Sequence, residues 1–225
     1  MTFVRQSTAL GIGLALLFTV SYPASGHQQV DASEAAHQHV ARLDGQPEMD
    51  EHAAHRAALA TPGYSVTMQH YTVPNVALID ESGASVPLPG LLDFEQPVVV
   101  NFIFTTCSTI CPVMTSIFTQ MREQLGEDGA GVRLVSISID PEYDRPEKLR
   151  QYAEGFGAGP GWTFLTGDGA DIARVLQSFD ALRGSKMNHR PLTLLKRPGS
   201  PEWVRIDGLA NGDELAQEVT ARLLN

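Results

Sequence analysis

The stretch Pro97–Thr115, PVVVNFIFTTCSTICPVMT, holds both cysteines of the 225-residue chain, Cys107 and Cys111. Residues 97–104 are almost continuously apolar and rich in β-branched side chains, the composition of a strand buried on both faces. Small polar residues follow, and Pro112 suits the first turn of a helix, where a missing N–H costs nothing. Val113, Ile117, Met121 and Leu125 recur at a spacing of four, and Gly126 ends the run. With a helix beginning near Pro112, Cys111 falls at the N-cap or just before it and Cys107 in the preceding loop. The pair thus sits where the carboxyl end of a strand meets the amino end of a helix, which is where α/β folds put their chemistry.

Working outward from this stretch, VRLVSISI (132–139) reads as a second buried strand and PEKLRQYAEGF (146–156) as a helix capped by Asp144. WTFLTG is short and extended, and DIARVLQSF (171–179) is helical. PLTLLK and EWVRI form a hairpin around Arg197-Pro198-Gly199-Ser200, and GDELAQEVTARLL closes the chain as a helix. On the amino side, YSVTMQHYTV and VALID read as strands, with Glu81-Ser82-Gly83 as a turn. Strands alternating with helices, then a hairpin and a last helix, predict an α/β sandwich without internal repeats. Trp162 and Trp203 are expected in its core.

The compartment decides what a cysteine pair can mean. The chain opens MTFVRQSTALGIGLALLFTVSYPASGHQQ: one basic residue, Arg5, then an apolar run from Ala9 to Val20, then Pro23 and the small residues Ala24-Ser25-Gly26. This pattern is that of an export signal. The apolar run is 12 residues long, against roughly 20 needed to cross a bilayer. Residues 1–26 are therefore expected to be an export signal cleaved near Gly26, with a short membrane anchor as the rival, and no cysteine stands there to carry a lipid. Residues 27–63 form a flexible extension rich in Ala, Gln, Glu and His, containing five of the seven histidines: His27, His37, His39, His52 and His55. Residues 64–225 form the globular domain.

In an exported chain disulfides persist, yet two cysteines are too few to staple a scaffold, and a domain of this length buries a core without one. The pair is expected to have a chemical task. The net charge of −10 and the lack of a basic stripe argue against nucleic acid as a partner. N–H groups at a helix start favour a thiolate, the form that attacks disulfides and also the form that binds metal. The spacing C-x-x-x-C is one residue wider than a thioredoxin-type pair, which eases shared coordination of a single ion. Two thiolates suit Cu(I) or Zn(II), and a structural zinc site wants four protein ligands. Two histidines lie outside the extension. His70 sits in a strand-like stretch and reads as an ordinary strand histidine. His189, in the loop KMNHRPLTLL, is the candidate third ligand. Met114 reads as core filler, and Met187 as a loop residue beside His189. No Gly-rich phosphate loop and no Ser-His-Asp order is present.

The segments VNFIFTTCSTICPVM, LVSISIDPEYDRPEKLRQYA, FLTGD and MNHRPLTLL resemble the Sco/SenC family of thioredoxin-like copper proteins, which help assemble the copper centre of cytochrome c oxidase. The resemblance runs from about Val66 to Leu224. It implies a thioredoxin-like three-layer sandwich with an N-terminal strand extension. It implies Cys107, Cys111 and His189 as ligands of copper, either Cu(I) or Cu(II), with Asp140 close by but not a ligand. It implies a copper-accepting partner such as a cytochrome oxidase subunit, an upstream copper donor, and a periplasmic or otherwise exported location, with the N-terminal segment as an inner-membrane anchor if uncleaved. Two departures from the family are visible. Ser108 follows the first cysteine where Pro is common, and Met187-Asn188-His189-Arg190 stands where Val-Asp-His-Ser is usual. The loop Asp140–Asp144 is either a helix-capping loop or a wall of the copper site that orients His189. The histidines of the extension, with Met49, could gather copper ahead of the main site. A thiol–disulfide oxidoreductase without metal is the alternative function, and a peroxiredoxin-like peroxidase a third.

Overall fold

In chain order, the described residues of a computed structural model, 63–93 and 95–225, form β1 (Tyr64–Gln69), β2 (Ala77–Asp80), β3 (Ser85–Pro87), α1 (Leu88–Leu92), β4 (Val98–Ile103), α2 (Ile110–Leu125), β5 (Arg133–Ser138), α3 (Pro146–Gly155), β6 (Trp162–Thr166), α4 (Gly169–Ser178), β7 (Leu192–Lys196), β8 (Trp203–Gly208) and α5 (Gly212–Val219). A π-turn over Thr220–Leu224 continues α5. The expected export signal, and the extension histidines His27, His37, His39, His52 and His55 with Met49, lie outside the described residues. Among the described residues no helix is long and apolar enough to cross a membrane.

The strands make one mixed sheet in the order β1-β8-β7-β4-β5-β6-β2-β3. Its centre is β4, parallel to β5 and antiparallel to β7. All six residues of β4 are buried, as its apolar sequence requires. Their alternation fills two cores. Val98, Val100 and Phe102 pack with Leu88 and Leu92 of α1 and Ile172 and Val175 of α4. Val99 and Ile103 face the other way, toward Phe118 and Met121 of α2, Leu149 of α3, and Leu215 and Val219 of α5. The result is the expected thioredoxin-like sandwich, helices on both faces of a sheet. β1 is the expected strand extension and adds to the edge of β8. Gly208, at φ +106°, begins that pairing opposite Tyr64, and a Cβ there would lie 2.4 Å from the Gly63 carbonyl oxygen.

Two consequences of the register position the site. Ile103 pairs with Ser138, so β4 and β5 end side by side. Asn101 pairs with Thr193 near the start of β7, so the segment before β7, with His189, arrives at the same carboxyl edge of β4.

Several elements differ from the sequence expectation. The strand expected through Val73 ends at Gln69, because Gln69 lies opposite Trp203, where its only partner β8 begins. The helix expected near Pro112 starts at Ile110, so Cys111 lies inside the first turn rather than at the cap. Pro112 is tolerated there because the first four N–H groups of a helix have no intrahelical acceptor. The apolar stripe of α2 is Cys111, Met114, Phe118, Met121 and Leu125, with Ile117 partly buried and Val113 45% exposed. A spacing of four alone drifts about 40° per step round a helix, so it leaves the buried face where a three-four alternation stays on it. Asp144 does not cap α3, whose N-cap is Arg145 without a side-chain bond. Helix α1 was not anticipated.

Phe118 is 1% exposed and packs on the Trp162 ring with centroids 5.8 Å apart. Phe118→Ala should lower unfolding free energy by about 3–5 kcal/mol. The check is a urea titration in which the midpoint falls while the slope is kept.

Candidate metal centre

Both cysteines are free thiols at the carboxyl end of β4. The loop between them is tight: the Cys107 N–H donates to the Phe104 carbonyl oxygen at 3.1 Å, and the Cys111 N–H donates to Cys107 Sγ at 3.4 Å. The structure therefore brings the two expected sulfur residues together, one over the first turn of α2 and one within it.

Their environments differ sharply. Burial would push the Cys107 thiol up, but the N–H groups of Cys111 and Thr109 and the Thr109 hydroxyl, 3.7 Å away, outweigh it and bring the pKa down to about 7. Cys111 is fully buried, and burial, with Cys107 and Asp144 nearby, pushes its thiol up to about 12. Cys107 is the more acidic thiol of the pair, partly ionised at neutral pH, and Cys111 holds its proton.

Asp144 holds this loop in place. Its carboxylate has no exposed surface. It accepts the Thr105 N–H at 3.1 Å, the Thr105 hydroxyl at 2.5 Å and the Ser138 hydroxyl at 2.6 Å. Thr105 follows β4 and Ser138 ends β5, so one buried carboxylate joins both strand ends just ahead of Cys107. Ser138 Oγ also accepts the Asp140 N–H at 3.0 Å, and the Asp140 carbonyl accepts the Asp144 N–H at 2.9 Å, which closes the turn on itself. On α2, the Thr115 hydroxyl donates to the Cys111 carbonyl at 2.9 Å and is 2.8 Å from the Tyr152 hydroxyl of α3.

His189 follows a 3₁₀ turn, Lys186–Asn188, and its N–H donates to the Lys186 carbonyl at 3.1 Å. Its Nε2 lies 2.8 Å from the Phe102 carbonyl oxygen, and its ring stands edge-on to Phe104 with centroids 6.5 Å apart. A carbonyl only accepts, so Nε2 carries the proton and the neutral ring keeps its lone pair on Nδ1. Burial pushes the His189 pKa down, with the Arg183 charge adding to it, against the Phe102 carbonyl. The imidazole is thus neutral at pH 7, with an oriented ring and one nitrogen available to a metal, the usual arrangement of a ligating histidine. It shares Phe104 with the cysteine loop. Even so, among the described residues no three His, Cys, Asp or Glu side chains are gathered closely enough to hold an ion.

The other expected residues are distributed as follows. Asp140 faces Lys186, with its Oδ2 2.5 Å from Nζ. Met187 is 77% exposed, and Met114 is buried in the core stripe. His70 is exposed and 3.9 Å from Glu202, on the β1–β8 side of the sheet. The roles of Thr105, Ser138 and Lys186 were missed. Thr105 and Ser138 carry a weak sequence signal, a hydroxyl residue at the end of each central strand. Lys186 carries none.

Against known proteins, the SCO1/SenC family model matches residues 77–223. The SCO1 protein homolog of Bacillus subtilis (strain 168) is 35% identical over 116 residues, covering 50% of this chain and 59% of the relative. The SCO2-like protein of Rickettsia felis is 33% identical over 105 residues, 45% of this chain and 48% of the relative. The chain thus matches less than two thirds of the length of these curated relatives. Among solved structures, BsSco, a member of the Sco family of cytochrome c oxidase assembly proteins studied for a disulfide switch, superposes with a TM-score of 0.58 at 28% identity, covering 69% of this chain and 95% of BsSco. Arabidopsis thaliana ScoI with copper bound gives a TM-score of 0.53 at 25% identity, over 66% of this chain and 96% of that one.

Two outcomes follow from the geometry. Iodoacetamide should modify Cys107 first, its rate rising as the pH is raised through about 7, the pKa of that thiol, while Cys111 stays unlabelled in the folded protein; peptide mass spectrometry reads both. Asp144→Ala leaves the buried Ser138 hydroxyl and the half-buried Thr105 hydroxyl and N–H without their acceptor, so it should cost about 1–3 kcal/mol for the buried donor, with less for the other two, and open Cys111 to the same reagent.

Proposed function

The chain belongs to the SCO1/SenC family, and from that premise we propose that it is an exported copper metallochaperone that binds one copper ion through Cys107, Cys111 and His189. The observation that carries this proposal is the donor set at one sheet edge: two thiols within one tight loop, and a neutral imidazole whose Nε2–H is spent on Phe102 and whose Nδ1 has no partner among the described residues. Two sulfurs and one nitrogen are a soft, low-coordinate set that suits Cu(I) and, with a further ligand, accommodates Cu(II). Copper is cargo here. Transfer needs a donor from the recipient to enter as a further ligand and take the ion, and Cys107, the less buried sulfur, is where it would enter. Copper-bound Arabidopsis ScoI and the oxidase-assembly protein BsSco support copper as the metal and a cytochrome c oxidase subunit as the class of recipient.

In this proposal residues 1–26 export the chain to the periplasm or anchor it in the inner membrane, residues 27–63 are a histidine-rich extension, and 64–225 are the copper-binding domain. Oxidation of Cys107 and Cys111 to a disulfide removes both sulfur ligands, so the redox state of the pair gates loading.

The unequal thiols favour a second function, thiol–disulfide exchange. A thiolate at Cys107 with a pKa of about 7 is suited to attack a disulfide, and the buried Cys111 is placed to resolve the mixed disulfide. The same pair could reduce the recipient's cysteines before copper arrives, or act alone as an oxidoreductase.

Copper titration of the reduced protein separates the two. A chaperone takes up one tight equivalent, gives a sulfur-to-copper charge-transfer band with Cu(II), and in His189→Ala loses more than the roughly 10–100-fold that removing an outer-shell partner costs. Its apparent affinity falls as the pH is lowered, because copper must displace the Cys111 proton, and falls more steeply below about 7, where Cys107 is protonated as well. Weak binding indifferent to His189→Ala, together with disulfide reductase turnover, would establish the oxidoreductase instead.

A further inference from the structure

Lys186 is held twice. Its Nζ is 2.5 Å from Asp140 Oδ2, and the same ammonium stands 5.7 Å over the Phe104 ring. Asp140 is anchored by the bonds that tie its turn to Ser138 and Asp144, and its side chain is 11% exposed. The Lys186 side chain is 41% exposed, so one end of the pair is fixed in the fold and the other is carried by the His189 segment. Lys186 opens the 3₁₀ turn, and its carbonyl receives the His189 N–H, so the two residues move together. Among the described residues no three donors converge. A copper ion held by all three ligands therefore requires the imidazole and the two sulfurs to come closer together than they stand here.

We propose that the Lys186–Asp140 ion pair is a latch that holds the His189 segment in its resting position and sets how readily the imidazole joins the two thiols on copper. Lys186 and Asp140 are positioning residues that act through His189. The inference rests on His189 being a copper ligand, as proposed above. A contact made only in the resting state lowers apparent affinity by the factor with which it favours that state, and removing it returns that factor.

The test uses the full chain, reduced, with Cu(I) supplied against a chromophoric chelator. Lys186→Gln and Asp140→Asn should each tighten Cu(I) by about two- to fivefold, the range of a partly exposed ion pair. The two substitutions change the local charge in opposite senses. A simple field effect on the cation would tighten binding in Lys186→Gln and weaken it in Asp140→Asn. In a His189→Ala background both substitutions should have no effect, since the latch has nothing left to restrain. Lys186→Arg should behave as wild type. Raising ionic strength should tighten copper in wild type more than in Lys186→Gln, because salt screens the pair. Weaker binding in Asp140→Asn, or equal shifts with and without His189, would overturn the latch. Wild-type affinity in Lys186→Gln, alongside a large loss in His189→Ala, would remove the latch and leave the ligand set standing. Wild-type affinity in His189→Ala itself would remove both.

Discussion

A carboxylate without exposed surface, Asp144, keeps two strands ending at one place. Parallel strands have no turn to bind their ends together, and the chain leaving each is free to diverge. Here the Thr105 and Ser138 hydroxyls converge on one acceptor, so the loop after β4 and the turn after β5 share an anchor. A buried carboxylate is tolerable only where several donors replace its hydration, and those donors come from the residues that must be aligned. The cysteine loop inherits its shape from this junction, and so does the Asp140 turn that meets the His189 segment.

From that junction the unequal chemistry of the thiols follows, chiefly through burial and hydrogen bonding. Cys107 is turned toward N–H groups and a hydroxyl, whereas Cys111 lies among the apolar residues of the α2 stripe. Hydrogen bonding stabilises one anion and desolvation suppresses the other, although only three residues separate them. Both proposed functions, copper binding and disulfide exchange, draw on this difference. The imidazole is what distinguishes them, since exchange between sulfurs has no use for it.

Much of this architecture was legible in the sequence because its signals are strong and local. The run 97–104 could only be an interior strand, and the abrupt change at Thr105 marked its carboxyl end. The alternation of strands and helices gave the layers, and the pairing of β7 with β4 brings the His189 segment to the carboxyl edge of β4. What was not legible depends on partners distant in sequence. The length of β1 is set by where β8 begins, not by its own composition. Asp144 has the position of a helix cap, and only the tertiary structure offers it three better donors. Lys186 looks like any surface lysine until the β5 turn is placed opposite it.

The strand order carries a consequence for how the molecule is made. β7 and β8, among the last elements in the chain, are inserted between β4 and β1 rather than added at an edge. A nascent chain emerging amino end first can form the thiol loop on β4 and β5 early, but the His189 segment reaches that edge only when β7 pairs with β4, and β1 has no neighbour until β8 has emerged. Such late, non-local closure is slow and leaves sheet edges open in the meantime. The partly synthesised protein thus has its reactive sulfur before the His189 segment stands beside β4, and that thiol meets oxidants without the finished fold around it.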